Sequence, residues 1–514
     1  PDSTRTGSAG PPVRWWPVLA VLAIGTGLLS YIWLRQAPSA QDRVVPSFPV
    51  LFFTVVALFL WLVLFSRLPG RRRWRIFLAV ALLVGAGFLL LEIQGVSGNL
   101  VPVVGFRWAG EPDYASASGG SVGVSAPGPE DYPQFYGPNR DATLAGPRLA
   151  RDWRVSPPRE LWRRPVGEGW SSFAVVGDAA VTQEQRGEQE LVVRYELASG
   201  RQVWAHADEA PFDTTVGGSG PRATPTIVDG RVYTLGATGI LNCLELATGG
   251  VIWSRNVLAD NGGAAPDWGM ASSPLVVGEV VVVQLGRRSI SLAAYDRASG
   301  EPVWRVSRDS GSYSTPTTAV VAGRRQLLIV NQISVAGHDP ADGAPLWREE
   351  WSEPGERVTP PLRVADDLLL VSAGYGVGSR LLRVVPAGDA YSVAEVWRSP
   401  RLKSKFASMV LHGGTVYGLD DGVLTALDPA TGERLWKRGR YGHGQLLLVA
   451  DLLLIQAENG EVALVDPDPD EHLELARFVA LDGKTWNPPA LSGRRLLVRN
   501  NREAACYELA TEDS

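Results

Sequence analysis

The sequence predicts an all-β fold, an eight-bladed β-propeller of four-stranded blades, preceded by an N-terminal bundle of three transmembrane helices. Three observations carry this expectation: one hairpin pattern occurs five times, tryptophans recur at blade spacing, and long apolar runs are confined to the first hundred residues.

The hairpin is clearest at Leu427 to Trp436, LDPATGERLW, and recurs as YELASGRQVW from Tyr195, ELATGGVIW from Glu245, YDRASGEPVW from Tyr295 and HDPADGAPLW from His338. Gly200, Gly249, Gly300, Gly343 and Gly432 supply the positive φ of a tight turn, and the Asp, Ser or Thr before them bonds back to the turn backbone. The Trp at a fixed offset is large and apolar. It is expected to lie between one sheet and the next, with its indole N–H reaching a carbonyl.

Trp162, Trp204, Trp253, Trp304, Trp347, Trp397 and Trp436 are separated by 42, 49, 51, 43, 50 and 39 residues, and a further blade is expected to end near Phe478. Most intervals open with a small residue before Pro or its equivalent, as at Thr224-Pro225, Ser273-Pro274, Thr315-Pro316 and Thr359-Pro360, with Ser172-Phe173, Ser408-Met409 and Pro488-Pro489 as degenerate forms. Strand-length apolar runs fill the spaces. The final YELAT copies the start of a hairpin without the Trp strand that should follow, while Glu160 to Val166, ELWRRPV, is a Trp strand with no hairpin before it. Strand 159–166 is therefore expected to complete the last blade of a propeller spanning 131–514, removing an open edge.

Val13 to Leu34, Val50 to Ser66 and Ile76 to Ile93 are apolar runs of 17 to 22 residues, long enough to cross a hydrocarbon core, and define an anchor over residues 1–95. Pro49 and Arg67 bound the shortest. The segment between the second and third spans holds Arg67, Arg71, Arg72, Arg73 and Arg75, whereas that between the first two holds Arg35 and Arg43 with Asp42. The positive-inside rule then gives a cytoplasmic N-terminus and a periplasmic propeller on a bacterial inner membrane. Residues 96–130, rich in Ser, Gly, Ala and Pro from Gly110 onward, read as a flexible linker. Tyr132 to Ala142, YPQFYGPNRDA, has no helix or strand period.

A formal charge of −5 gives no sign of a nucleic-acid partner. Cys243 and Cys506 lack metal-ligand spacing and read either as buried apolar residues or as one disulfide. Gly374 to Gly378, GYGVG, has no following helix and reads as a strand-connecting turn rather than a phosphate loop.

The Asp-x-x-Thr-Gly-x-x-x-Trp hairpin resembles the tryptophan-docking repeat of the pyrroloquinoline quinone (PQQ) propellers, over about residues 130 to 511. That family includes quinoprotein dehydrogenases and the non-enzymatic assembly lipoprotein of the Bam complex, so the resemblance implies the eight-bladed fold and leaves the chemistry open. The YPQFYGPNRDA stretch is similar to the opening of many PQQ-like repeat proteins of bacteria. The family's alcohol dehydrogenases stack the cofactor on a disulfide between adjacent Cys, a pair this chain lacks. Its glucose dehydrogenases lack that pair as well and carry membrane spans before a periplasmic propeller, but their chains are longer.

The residue three before each Pro equivalent is expected to face the ring axis, which gives Trp170, Arg222, Ala271, Tyr313, Arg357, Phe406, His443 and Trp486. This aromatic and cationic set suits an anionic planar ligand. Lys405 and Trp268 lie beside it, and Asp267 and Asn487 offer metal oxygens. The plainer reading is a wet funnel whose groups meet water or pair with neighbours such as Glu356. Two functions follow as expectations. The first is a membrane-anchored platform for a protein or envelope partner. The alternative is a PQQ- and Ca²⁺-dependent dehydrogenase of sugars or alcohols donating electrons to membrane quinone, with Trp170 or Trp486 stacking the cofactor and Arg222, Arg357 and Lys405 meeting its carboxylates.

Overall fold

The computed structural model describes residues 13–35, 37, 39–108, 114, 123–286, 290–388 and 390–512. The chain divides into two compact units, 1–111 and 112–514. Residues 109–113 and 115–122 of the expected linker lie outside the described residues.

In the first unit, helices Trp16–Leu34, Gln41–Phe65 and Gly70–Leu90 are long and apolar enough to cross a membrane. The second helix starts nine residues before the apolar run because Pro46 and Pro49 lie inside it rather than bounding it. Pro46 has no N–H for the Asp42 carbonyl, and the Arg35 guanidinium takes that carbonyl instead at 2.6 Å. Trp33 Nε1 donates to Ser47 Oγ at 3.1 Å, and a Cβ on Gly25 would lie 2.7 Å from Thr54 Oγ1, so the first two helices approach through small residues. At the other end Trp61 Nε1 donates to the Arg14 carbonyl, and the rings of Trp15 and Trp61 sit 5.7 Å apart. Of the five arginines from Arg67 to Arg75, only Arg67 lies in the connection between the second and third helices, and the rest occupy the first turns of the third helix. Arg73 reaches back to the Val63 carbonyl, which the second helix leaves open at its end, at 2.7 Å and to the Leu68 carbonyl of the connection at 3.2 Å. A hairpin, Leu91–Val96 with Pro102–Phe106, follows.

The second unit is a ring of eight antiparallel sheets. Seven are built from consecutive strands: blade 1 runs over 174–208, blade 2 over 226–256, blade 3 over 275–306, blade 4 over 317–350, blade 5 over 362–399, blade 6 over 409–440 and blade 7 over 445–479. Blade 8 takes its inner three strands from 490–508 and its outer strand from Arg159–Pro165, with Cys506 opposite Trp162. The chain thus closes its own ring as expected.

The tryptophans explain why the sheets stack. Trp162, Trp204, Trp253, Trp304 and Trp397 lie on outer strands, and each ring covers the turn glycine of the next blade. A Cβ on Gly200, Gly249, Gly300, Gly343 or Gly432 would come within 2.5 to 2.8 Å of the indole. The same turn carries the hydrogen-bond acceptor. Trp162 Nε1 donates to the Leu197 carbonyl at 2.9 Å, Trp204 to Leu246 at 3.0 Å, Trp253 to Arg297 at 3.2 Å, Trp397 to Pro429 at 2.9 Å and Trp436 to Asp468 at 3.0 Å. Two indoles depart from this: Trp304 covers its glycine but its N–H has no partner among the described residues, and Trp347, facing a blade 5 that carries the long hairpin 378–399 in place of the short turn, bonds to Gln326 Oε1 of its own blade at 2.6 Å. Phe478, standing for the Trp of blade 7, packs edge-on against Tyr507 and Trp153. Cys243 and Cys506 are free and buried on blades 2 and 8, where burial pushes their thiols up to about 11 and about 12.

Trp253→Ala is expected to cost about 3–5 kcal/mol of stability. Trp162→Phe, which strands the Leu197 carbonyl, should cost about 1–3 kcal/mol more than Trp304→Phe, whose indole N–H has no partner. Urea unfolding of the full chain in detergent checks both.

Candidate functional site

The loops that lead into the inner strands deliver their side chains to one mouth of the ring, as the repeat register requires. There Trp170 and Trp486 meet with centroids 4.9 Å apart at 42°, Trp486 meets Phe406 at 5.2 Å, and Phe406 meets His443 at 5.9 Å. Across the mouth Tyr313 stacks on Trp268 at 4.8 Å, and its hydroxyl accepts from the Trp268 N–H at 3.1 Å. Tyr375, from the Gly374–Gly378 turn, lies 6.2 Å from Trp268. That turn joins the second and third strands of blade 5 with Tyr375 at φ 58°.

Two of the chain's four lysines enter this aromatic set. Lys484 Nζ sits 4.6 Å from the Trp170 ring and 4.3 Å from the Trp486 ring. Lys405 Nζ sits 4.6 Å from Tyr375 and 5.5 Å from Phe406. The ring faces attract both ammonium groups. Burial nevertheless lowers each to about 8, against an opposing pull from Glu458. The Glu458 carboxylate accepts the Trp486 indole N–H and the His443 backbone N–H, each at 2.9 Å. Burial and then the Lys405 charge push His443 down to about 4, so its imidazole is neutral at pH 7.

The arginines are held differently. Arg222 lies 4.5 Å from the Phe212 ring and bonds the carbonyls of Gly217, Gly218 and Gly220. Arg357 is fully buried over Trp351 at 4.4 Å and donates to the Glu353 and Gly355 carbonyls at 2.6 and 2.9 Å. Burial lowers the pKa of both. Asn487 is buried, with Nδ2 donating to the Gly169 and Ser171 carbonyls at 3.1 and 2.8 Å, while Asp267 is exposed beside Trp268.

Of the residues expected from the register, the structure brings Trp170, Phe406, His443 and Trp486 into one cluster and Tyr313 onto Trp268, holds Arg222 and Arg357 on local carbonyls, and adds Lys484, Glu458 and Tyr375. Lys484 precedes Trp486 by two residues and is legible as a rare lysine at an axial loop. Glu458 and Tyr375 come from turns between the second and third strands, which the register of the inner strands does not reach.

Against this geometry, the family model described as outer membrane protein assembly factor BamB matches residues 188–438. The chain carries a PQQ-like repeat propeller. BamB of Bordetella pertussis is 24% identical over 362 residues, covering 66% of this chain and 84% of that protein. Solved structures similar to this propeller include quinohemoprotein alcohol dehydrogenase from Comamonas testosteroni, with TM-score 0.55 and 12% identity over 74% of this chain and 80% of that one. BamB from Moraxella catarrhalis matches with TM-score 0.49 and 15% identity over 68% of this chain and 100% of that one. At 12% identity the Comamonas structure speaks to the fold alone.

PQQ would need a flat slot between aromatic faces and free guanidinium forks for its carboxylates. In this PQQ-like propeller Trp170 and Trp486 touch each other, Lys484 covers both rings, and the terminal NH2 groups of Arg222 and Arg357 are engaged by backbone carbonyls, which leaves the buried Arg357 Nε–H without an acceptor among the described residues. Among the described residues no three His, Cys, Asp or Glu side chains cluster as a metal site. The residues present do not fit the cofactor. Adding PQQ with Ca²⁺ at tens of micromolar to the detergent-solubilised protein is expected to leave its Trp fluorescence unchanged.

A lysine whose pKa falls from about 10.4 unfolded to about 8 folded opposes folding fully below about pH 8, and that cost is relieved as pH rises towards 10.4. Lys484→Met is thus expected to raise Tm at pH 7. The difference from the parent should shrink between pH 8 and 10.5 in a thermal series.

Proposed function

We propose that this PQQ-like propeller is a platform that holds a protein partner of the bacterial envelope, anchored in the inner membrane by its three N-terminal helices. The observation that carries the reading is the state of the axial funnel. Its rings pack on one another and its two arginines donate to local backbone carbonyls, while apolar side chains stand exposed on the outer strands. Ile252, Val303 and Leu435 follow the docking turns of blades 2, 3 and 6 and are 43, 52 and 48% exposed. Exposed apolar groups on a rim suit a partner surface better than a reactive pocket does. The match to BamB, named for outer membrane protein assembly, supports an envelope partner.

The anchor's orientation draws support from one end of the bundle, where Arg67, Arg71, Arg72, Arg73 and Arg75 gather with Trp15, Trp61 and Trp74. Arginines mark the cytoplasmic side and tryptophans the interface, which gives the propeller a periplasmic address.

Alkaline phosphatase fused after residue 37 or 108 is expected to be active in cells, and after residue 68 inactive. The reverse pattern would invert the anchor. A photocrosslinking residue at Ile252, Val303 or Leu435 in the full chain should give discrete adducts with an envelope protein in the inner-membrane fraction. Absence of adducts at all three positions would remove the platform reading.

A further inference from the structure

The other mouth of the ring holds the 132–144 segment, and the way that segment is held defines a second site. Most inner strands end in a two-residue turn, so the residues flanking the turn are a hydrogen-bonded pair. The residue before that pair then points its N–H and C=O away from its own blade and into the channel. By this parity the channel-facing residue is Val175 in blade 1, Ile227 in blade 2 and Leu448 in blade 7. The 132–144 segment claims all three. Tyr132 exchanges both bonds with Val175 at 3.0 and 2.7 Å, the Ile227 N–H donates to the Pro133 carbonyl at 2.9 Å, and the Leu448 N–H donates to the Ala142 carbonyl at 2.8 Å. Thr143–Leu144 then runs parallel to blade 7 as a fifth strand. The segment turns within the channel through positive φ at Tyr136, Gly137, Arg140 and Ala142. Buried Arg140 donates to the Ser273 and Pro274 carbonyls of blade 3, each at 2.9 Å.

The same parity makes Val276, Val320 and Leu411 the channel-facing residues of blades 3, 4 and 6, with Thr318 following in blade 4. All four line a cavity of about 580 Å³ on the side of the channel that the 132–144 segment leaves open. Among the described residues, nothing outside blade 4 bonds the backbone of Thr318 or Val320, and the Val320 side chain is 55% exposed. The unclaimed N–H and C=O groups repeat every second residue, about 6.6 to 6.8 Å apart, which is the spacing of an incoming strand. Arg140, Arg325 and Arg363 line the cavity with one carboxylate, Asp141, and Arg363 pairs with Asp366 at 3.0 Å, so three cations against two carboxylates leave a positive surplus.

We infer that this cavity receives an extended, acid-flanked segment of the partner protein, which adds as a strand to the inner edge of blade 4 at Thr318 and Val320. The chain's own segment adds to blades 1, 2 and 7 in the same manner. The inference rests on the platform reading and gives it an address. Strand addition takes its affinity from the main chain and its selectivity from flanking side chains, here Arg325 and Arg363.

The test uses the full chain in detergent micelles and a labelled peptide, acetyl-Glu-Val-Thr-Val-Thr-Val-Glu-amide, with a counterpart carrying Lys for both Glu. The acidic peptide is expected to bind by fluorescence anisotropy and to slow hydrogen exchange at the Thr318 and Val320 amides. Val320→Pro removes the outward N–H without touching the blade's own ladder and should weaken binding about tenfold. Arg325→Glu should weaken it comparably, and Val320→Ala, which keeps the N–H, should retain it. If Val320→Pro lowers Tm, the Val320→Ala and Arg325→Glu pair decides. Binding without protection at Thr318 and Val320, unchanged binding in Val320→Pro at the parent's Tm, or equal binding of the two peptides would overturn the inference. So would no binding of the acidic peptide. Crosslinks on the outer strands alongside a failed peptide assay would sink the strand site and leave the platform standing.

Discussion

The ring depends on where an indole can go. A tryptophan on each docking outer strand must find a flat, Cβ-free surface for its face and an acceptor for its N–H. The turn of the next blade offers both at once, glycine for the face and a main-chain carbonyl for the donor. Where a blade carries both halves of the device, satisfying one indole sets the spacing and angle for the next; at Trp304 the glycine face alone is present. Where blade 5 lacks the turn, the donor falls back on Gln326 and the indole lies over Gly337 of its own blade. The interface there relies on the apolar cluster that includes Leu346, Trp347, Leu369 and Leu382.

That dependence is why so much of the fold is legible in the sequence. Turn glycine, tryptophan and the small residue before each inner strand have fixed chain offsets, so counting finds the blades and exposes Glu160 to Val166 as an orphan strand. The helical bundle is less exact on the page. A proline ordinarily bounds a helix, but Pro46 and Pro49 stand inside one, with Arg35 supplying a donor that Pro46 lacks.

The two mouths of the ring differ in how they were readable. Trp170, Arg222, Ala271, Tyr313, Arg357, Phe406, His443 and Trp486 could be enumerated in advance from the repeat register as candidates for the funnel. Their chemistry could not, since the arginines turn to local carbonyls and Glu458 arrives from a different turn. The 132–144 segment has no period because its partners are the edges of several blades, and its shape comes from left-handed turns at residues that rarely adopt them. Local pattern cannot encode contacts of that range. Aromatic cation shelters at one mouth and unclaimed strand edges at the other give a single ring two unlike surfaces.

The closing strand has a consequence in time. Arg159 and Glu508 pair across a separation of 349 residues, so during synthesis the first strand of the propeller waits for the last. At translation rates of about 5–20 residues per second that wait is on the order of tens of seconds. Through it Trp162 and its strand stand without the sheet that will hold them, while the blades behind them stack one on another. The early chain is therefore the part most in need of shelter from aggregation, and the ring gains its lock in one late step rather than blade by blade.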